Sequence, residues 1–178
     1  MSVRLSPKNR KMSADKKGRV ARFIDLPEFN VFIFAVLLNY PWEFLQAPLY
    51  RGMATADHWY GVKICTRATL GDGVIMLIAF WAVAAVSRSR WWLLRPDRRQ
   101  VAGLVAVGVA ITILFERLAT SSVHPGWGWR YADAMPLLPG TEVGLSPLAQ
   151  WIILPPLAIW FVRRQLETRA PQLKSDNE

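Results

Sequence analysis

Cysteine and histidine are scarce in this chain: Cys65 is the single cysteine, and there are two histidines among 178 residues. One cysteine excludes an internal disulfide. The sequence also has no P-loop, no nucleophile elbow and no HExxH motif. Acidic residues are fewer than basic ones, 13 against 22. These absences remove the common signatures of nucleotide, serine-hydrolase and zinc chemistry, and no cofactor is expected.

Apolar residues are abundant, at 52% of the chain, and they gather into four blocks. Each block has about 16–20 residues, close to the ~20 that cross a bilayer core as a helix. A soluble bundle would need a recurring polar stripe, and residues 74–86 and 101–115 have none. We therefore predict an all-α polytopic membrane protein with four transmembrane helices. The predicted spans are about 29–47, 69–87, 101–119 and 147–162.

The basic residues are distributed unevenly between the two sides of such a bundle. Seventeen Lys and Arg lie before the first span, between the second and third, and after the fourth, against five on the other side. Short cytoplasmic segments are enriched in Lys and Arg, so both termini are predicted to be cytoplasmic. The net charge of +9 is then a topology signal, and nucleic acid is not an expected partner.

This orientation divides the chain into three parts. Residues 1–26 form a basic cytoplasmic segment, 27–164 the transmembrane domain and 165–178 a cytoplasmic tail. The basic stretch ahead of the first apolar block is long, and no small-x-small cleavage site follows the block. The first helix is therefore expected to remain as an anchor. Between the first two spans we expect an outer loop at 50–67, and a longer one lies at about 121–146.

Two of the predicted helices carry a polar stripe along one face. On the first helix, i, i+4 and i+7 spacing aligns Asn39, Glu43 and Gln46. On the third, i, i+4 and i+8 spacing aligns Thr112, Glu116 and Thr120. A carboxylate in hydrocarbon is costly unless it faces the bundle interior or a wet cavity. Both stripes are therefore predicted to face inward, with Glu43 and Glu116 opposite each other.

Asp72 and Gln150 extend this pattern to the other two helices, at nearly the same depth near the outer leaflet. Pro41 interrupts the first helix and Pro155 and Pro156 the fourth, and each proline frees a backbone carbonyl. Freed carbonyls at membrane depth are tolerated where protein groups or water satisfy them. Together these features predict a polar, carboxylate-containing cavity near the outer leaflet.

Residue types suggest roles within that cavity. Carboxyl groups can act as general acid and base, and the catalytic candidates are Glu43, Glu116 and Asp72. Amides would orient a ligand and aromatic rings would stabilise a cation; the ligand-binding candidates are Asn39, Trp42, Gln46, Gln150 and Trp151.

Structural roles for the same residues stay open at this stage. Asp72 follows Thr69 at a capping-box spacing and would then only cap the second helix. Glu43 and Glu116 would either be held protonated by burial or be paired with basic residues. The candidate partners are Arg67, Arg117 and Arg130.

A metal site is a weaker alternative. His58, Cys65 and His124 fall on the predicted outer side, where Asp57 would join them. Their spacing matches no strong metal-binding pattern. Cysteine and histidine in two separate loops are more often incidental, so no metal is expected.

Four stretches carry a resemblance to a group of known proteins: NYPWEFLQAPLY, TLGDGVIMLIAFW, FERLAT and GLSPLAQWIILPPL. They touch all four predicted helices, over about a third of the chain, and resemble small four-helix bacterial membrane proteins. The resemblance implies the fold and a location in the bacterial inner membrane. It implies no activity and no site residue.

Three functions are consistent with these observations. The first is an integral membrane protein that binds or processes a lipid or isoprenoid-type ligand, with Glu43 and Glu116 as an acid/base pair. The second is a non-catalytic subunit or assembly factor that docks a partner through its outer loops. The third is a small proton-coupled transporter. The expected partners are membrane lipid and either another protein or further copies of the chain.

Overall fold

A computed structural model describes residues 24–121 and 128–175, with side chains as far as residue 169. It contains four long helices: α1 Pro27–Gln46, α2 His58–Ser87, α3 Arg98–Thr120 and α4 Leu145–Ser175. Short 3-10 turns at Ala47–Leu49 and Trp92–Leu94 follow α1 and α2. The all-α prediction is thus confirmed over the described residues.

Each helix packs on two others, and the contacts close a ring: α1 on α2, α2 on α3, α3 on α4 and α4 on α1. Neighbours are antiparallel. Cys65 Sγ lies 3.7 Å from the Glu43 carbonyl oxygen, whereas Gly73, further along α2, meets Phe32 and Val36, which lie earlier on α1. Short connections between successive helices favour this up-and-down arrangement.

Three of the four helices are long and apolar enough to cross a membrane, namely α2, α3 and the Leu145–Arg169 part of α4. Helix α1 is not among them. Its buried polar residues lower its mean hydropathy, and they are Asn30, Asn39, Glu43 and Gln46. Helix α1 begins at Pro27, two residues before the predicted span, and this proline occupies its first turn.

Helix α2 begins eleven residues earlier than the predicted span, at His58 rather than at residue 69. The Asp57 side chain caps it by accepting hydrogen bonds from the backbone N–H groups of Trp59 and Tyr60, at 3.0 and 3.2 Å. The predicted loop at 50–67 was therefore too long, and a capping role for Asp72 was wrong because Asp72 lies well inside the helix. The apolar pattern begins later than the helix because the first turns of α2 are amphipathic.

Helix α4 continues to Ser175, beyond the predicted span end at 162 and into the predicted tail. Leu166 is buried against the bundle, so apolar packing extends one turn past the continuous apolar block. An i, i+4 ion pair joins Arg163 Nε to Glu167 Oε1 at 2.7 Å, which favours helix here. Arg169 also lies 3.5 Å from Asp25, just before α1.

The apolar core occupies the end of the bundle at which α2 and α4 finish. Its largest fully buried side chains include Phe80, Met76, Leu93 and Leu104. Trp92, in the turn between α2 and α3, stacks on Phe80 with ring centroids 5.9 Å apart. Buried polar side chains concentrate instead at the opposite end, where α1 and α3 finish and α2 and α4 begin. That end is called the polar end below.

Candidate functional site

Six polar side chains from three helices make one hydrogen-bonded network at the polar end. Helix α1 contributes the predicted stripe, and α2 and α4 add one acid, one amide and one hydroxyl. The members of this acid–amide network are Asn39, Glu43, Gln46, Asp72, Ser146 and Gln150. Glu43 is 8% exposed and Gln150 2% exposed, which agrees with the inward orientation that the spacing predicts for this stripe.

Gln150 links the three helices. Its Nε2 lies 2.6 Å from Asn39 Oδ1, 3.1 Å from Glu43 Oε1 and 2.9 Å from Asp72 Oδ2. A neutral amide nitrogen has two hydrogens to donate, so three acceptors compete for two donors. The network is therefore richer in acceptors than in donors around this nitrogen.

Gln46 closes the network on the loop side. Its Nε2 donates to Glu43 Oε1 at 2.7 Å and to Gln150 Oε1 at 3.2 Å. Ser146 Oγ donates to Gln46 Oε1 at 2.8 Å. Glu43 Oε1 and Asp72 Oδ2 lie 3.1 and 2.9 Å from the same Gln150 Nε2, which brings the two carboxyl groups close together. A bond between two carboxyl groups needs a proton on one of them, so these two acids are placed to share one.

Glu116 is held by a loop rather than by the acid–amide network. Its Oε2 accepts a hydrogen bond from Trp129 Nε1 at 3.0 Å and another from the Tyr131 hydroxyl. The Tyr131 oxygen in turn accepts from the backbone N–H of Gly144 at 3.0 Å. Glu43 bonds instead to Gln46 and Gln150, so the two carboxyl groups have different hydrogen-bond partners.

Three aromatic residues cover the polar end, and together they are called the aromatic strap: Tyr50, Trp129 and Tyr131. The Tyr50 ring lies 6.3 Å from that of Trp129 and 5.6 Å from that of Tyr131, centroid to centroid. Backbone bonds join the same segments, from Arg51 N to the Arg130 oxygen at 2.8 Å and from Ala132 N to the Leu49 oxygen at 2.9 Å. The strap thus connects the α1–α2 loop to the α3–α4 loop.

Burial and nearby acids keep the strap hydroxyls protonated. Burial, then the charges of Glu116 and Glu43, raise the pKa of Tyr50. Burial, then its hydrogen bond to Glu116, raise the pKa of Tyr131. Both phenols therefore remain neutral hydrogen-bond donors at physiological pH.

No open cavity lies beside Asn39 and Gln150 in the described structure. A void beside Asn39 and Gln150 is lined mostly by apolar side chains, among them Met76 and Trp151, and has no room for a water molecule. Gly108 explains the tight fit, because the absence of a side chain there lets the Trp151 ring pack against the α3 backbone. The polar groups at this end form a packed network instead.

Ion pairing does not neutralise the buried acids within the described residues. The salt bridges there are Arg51–Asp133, Arg90–Glu28, Arg163–Glu167 and Arg169–Asp25. None involves Glu43, Asp72 or Glu116, so pairing with Arg67, Arg117 or Arg130 was a wrong expectation there.

The other predicted site residues lie around the network. Trp42 is half-buried beside Glu43 in the chain, and its Nε1 is buried without a hydrogen-bond partner. Trp151 belongs to the apolar core. Cys65 is buried, His58 starts α2, and His124 lies outside the described residues. Among those residues, no group of three His, Cys, Asp or Glu could hold a metal ion.

Sequence reasoning missed Tyr50, Trp129, Tyr131 and Ser146. Each of these residues contacts a partner that is distant in the sequence, so helical spacing does not indicate the contact. The high aromatic content of the two loops was the only sequence signal for them.

Compared with models of known protein families, with characterised proteins and with solved structures, the chain gives no match.

Replacing Tyr131 by phenylalanine is expected to loosen the aromatic strap, because Glu116 loses a donor and Gly144 loses an acceptor. A hydrogen bond to a charged group contributes ~1.5–3 kcal/mol. Backbone amides of the strap, such as that of Ala132, should exchange with solvent about tenfold faster or more. Hydrogen exchange read by mass spectrometry measures this. Tyr60→Phe, at an exposed tyrosine, should leave the rate unchanged; equal rates in both variants would contradict the strap.

Proposed function

We propose that the chain is a four-span membrane protein of the bacterial inner membrane whose polar end binds the head of a lipid or isoprenoid-type ligand. The observation that carries this proposal is the enclosure of acids from three helices, with Glu43 and Glu116 buried and Asp72 partly buried, without an ion-pair partner among the described residues. Buried ionisable groups at membrane depth are costly and are typically functional. Stability alone would be served as well by apolar residues there.

The distribution of side chains around α1 supports a fourth span. Its polar residues, Asn39, Glu43 and Gln46, are buried against the other helices. Its opposite side exposes Leu37 and Leu45, at 61% and 78%. The face that would meet lipid is therefore apolar, and the residues that lower the mean hydropathy of α1 are turned away from it. With α1 counted, the chain crosses the membrane four times, and both termini then lie on the same side.

Reporter fusions test this topology. With both termini cytoplasmic, a fusion after Asp57 or after Asp133 should report the periplasm, and one after Asp97 the cytoplasm, because Lys and Arg are retained on the cytoplasmic side. Alkaline phosphatase activity reads the first two positions and a cytoplasmic fluorescent reporter reads the third. A periplasmic signal at Asp97 would refute the assignment.

Within this topology the polar end faces the outer leaflet, and Glu43 with Asp72 is the proposed acid/base pair. Two acids that share a proton can offer it to a ligand and take it back. Gln46 and Gln150 hold the pair in position through the bonds described above. Glu116, bound by the strap, is proposed to bind the ligand once Trp129 and Tyr131 release it.

Docking of a partner protein is a second candidate, because large apolar side chains are exposed beside the strap. Trp59 is 68% exposed and Leu137 44%, both at the polar end, where aromatic residues also suit a membrane interface. A transporter has less support. The apolar core, with Met76, Phe80 and Leu104 fully buried, separates the acids from the other end of the bundle.

Native mass spectrometry of protein gently extracted from its own membrane tests ligand binding. Wild-type protein should carry a bound species of lipid or isoprenoid mass, and Glu43→Gln should lose most of it. Asp133→Asn is a matched control, because Asp133 is an exposed acid near the strap, and it should keep the species. Co-purification of a protein instead, with no small ligand, would favour the docking candidate.

A further inference from the structure

The hydroxyl of Thr69 is buried within the polar end without a hydrogen-bond partner. Thr69 is 1% exposed, and its Oγ1 contacts no donor or acceptor in the described structure. Cys65, four residues before Thr69, lies with its Sγ 3.7 Å from the Glu43 carbonyl oxygen. Gly73, four residues after Thr69, packs beside Val36. Thr69 therefore lies level with Asn39 and one turn from Asp72, on the face of α2 that is turned to the acid–amide network.

Thr112 repeats this arrangement on α3. It is 7% exposed, and its Oγ1 has no hydrogen-bond partner among the described residues. It stands one turn before Glu116 on the same buried face and one turn after Gly108, which packs on Trp151. A second unsatisfied hydroxyl thus lies on the buried face of α3, one turn from Glu116. Buried polar atoms are rarely left unsatisfied unless they serve a function or bind an absent molecule.

The charge of the polar end shows what such a molecule would supply. Three acids contribute negative charge or acceptor oxygens, and no described salt bridge offsets them. The Gln150 amide faces three acceptors with two hydrogens. Around this nitrogen acceptors outnumber donors and no positive charge is paired with the acids, and a primary ammonium would supply three N–H donors and one positive charge.

The aromatic strap suits the same chemistry. Tyr50, Trp129 and Tyr131 lie around Glu116, and aromatic rings beside a carboxylate attract an ammonium through the ring quadrupole. In the described structure, Trp129 and Tyr131 donate the hydrogen bonds that Glu116 accepts. A ligand N–H can take over those positions without leaving the carboxylate unsatisfied.

We propose that the ligand of the polar end carries a primary ammonium headgroup, as in an amino-phospholipid, and that Glu116 binds it in place of Trp129 and Tyr131. The unsatisfied hydroxyls of Thr69 and Thr112 accept hydrogen bonds from its remaining N–H groups, directly or through a water molecule. This inference rests on the proposed function, because it assumes that the polar end binds a ligand at all.

Thermal unfolding of delipidated protein in detergent tests the headgroup. Phosphatidylethanolamine, phosphatidylcholine and phosphatidylglycerol with identical short acyl chains are added in turn, and free ethanolamine separately. Phosphatidylethanolamine at about 100 times its Kd should raise the unfolding midpoint by about 5–10 °C. The other two lipids should raise it by much less. Glu116→Gln should weaken phosphatidylethanolamine binding about tenfold, and Asp133→Asn should not.

The outcomes separate the two proposals. A shift with phosphatidylcholine as large as with phosphatidylethanolamine would overturn the need for N–H donors. A shift mainly with phosphatidylglycerol would overturn the ammonium, and in either case loss of the shift in Glu116→Gln would leave the proposed function standing. A shift with ethanolamine alone would support the ammonium and assign it to a free amine. No shift with any compound, together with no co-purified small ligand, would overturn both proposals.

Discussion

Glu43→Gln and Glu116→Gln are each expected to abolish complementation in the native host while the protein still inserts and folds. Glutamine keeps the shape of glutamate and can still accept the hydrogen bonds that reach Glu43 from Gln46 and Gln150. The substitution removes the proton-transfer group and the charge. Because buried polar pairs often contribute little net stability, the free energy of unfolding in detergent should change by no more than ~1 kcal/mol. Growth of a deletion strain measures the first effect, and thermal unfolding the second.

Asp133→Asn provides the comparison for both variants, since it removes an exposed acid from the same end of the bundle. It should complement fully. If Glu43→Gln and Glu116→Gln also complement fully, the acids are structural and the partner-docking candidate moves ahead. If both variants misfold, the acids hold the bundle together, and the ligand proposal loses its main support.

Gly108→Ala is expected to produce a large loss of stability for a small substitution. A Cβ atom at residue 108 would lie 2.0 Å from Trp151 Cε3 and 2.4 Å from Cζ3, so the ring or the helix must move. Overpacking of this kind costs ~1–3 kcal/mol. For a chain of this size that corresponds to a fall of roughly 2–12 °C in the unfolding midpoint. Because Trp151 lines the void beside Asn39 and Gln150, the acid–amide network should loosen as well.

Gly103→Ala is the matched control on the same helix. Its Cβ would lie 3.6 Å from Val83, an ordinary contact, and alanine is favoured over glycine in a helix by roughly 0.5–1 kcal/mol. This variant should be as stable as the wild type or slightly more so. Equal stability of the two alanine variants would show that Trp151 does not pack against Gly108.

The inward orientation of the polar stripes was predictable because helical periodicity is local. A residue and its neighbour four positions on share a face whatever the rest of the chain does, and this placed Asn39, Glu43 and Gln46 together on the buried side of α1. The cost of a carboxylate in lipid then fixed which way that side faces. The start of α2 was not predictable from the apolar pattern, since Asp57 caps turns that are themselves amphipathic.

The partners of Glu116 could not be read from the sequence, because Trp129 and Tyr131 reach it from an irregular loop. No periodicity relates a loop residue to a helix position. The space that the prolines were expected to open beside Asn39 and Gln150 is filled for a different reason. Pro41 lies within a continuous α1, and the apolar packing of Trp151 against Gly108 fills the space beside the network. Composition indicates polar groups at one depth but does not give the volume between them.

The most direct test of ligand binding at the polar end is an experimental structure of the protein crystallised from a lipid phase that contains phosphatidylethanolamine. Density for a headgroup is predicted within about 3 Å of the Glu116 carboxylate, with Trp129 and Tyr131 withdrawn from it. The Thr112 hydroxyl should then have a partner. A structure in that lipid with Glu43, Asp72 and Glu116 bonded only to protein groups, and with Thr69 and Thr112 still unsatisfied, would contradict the account.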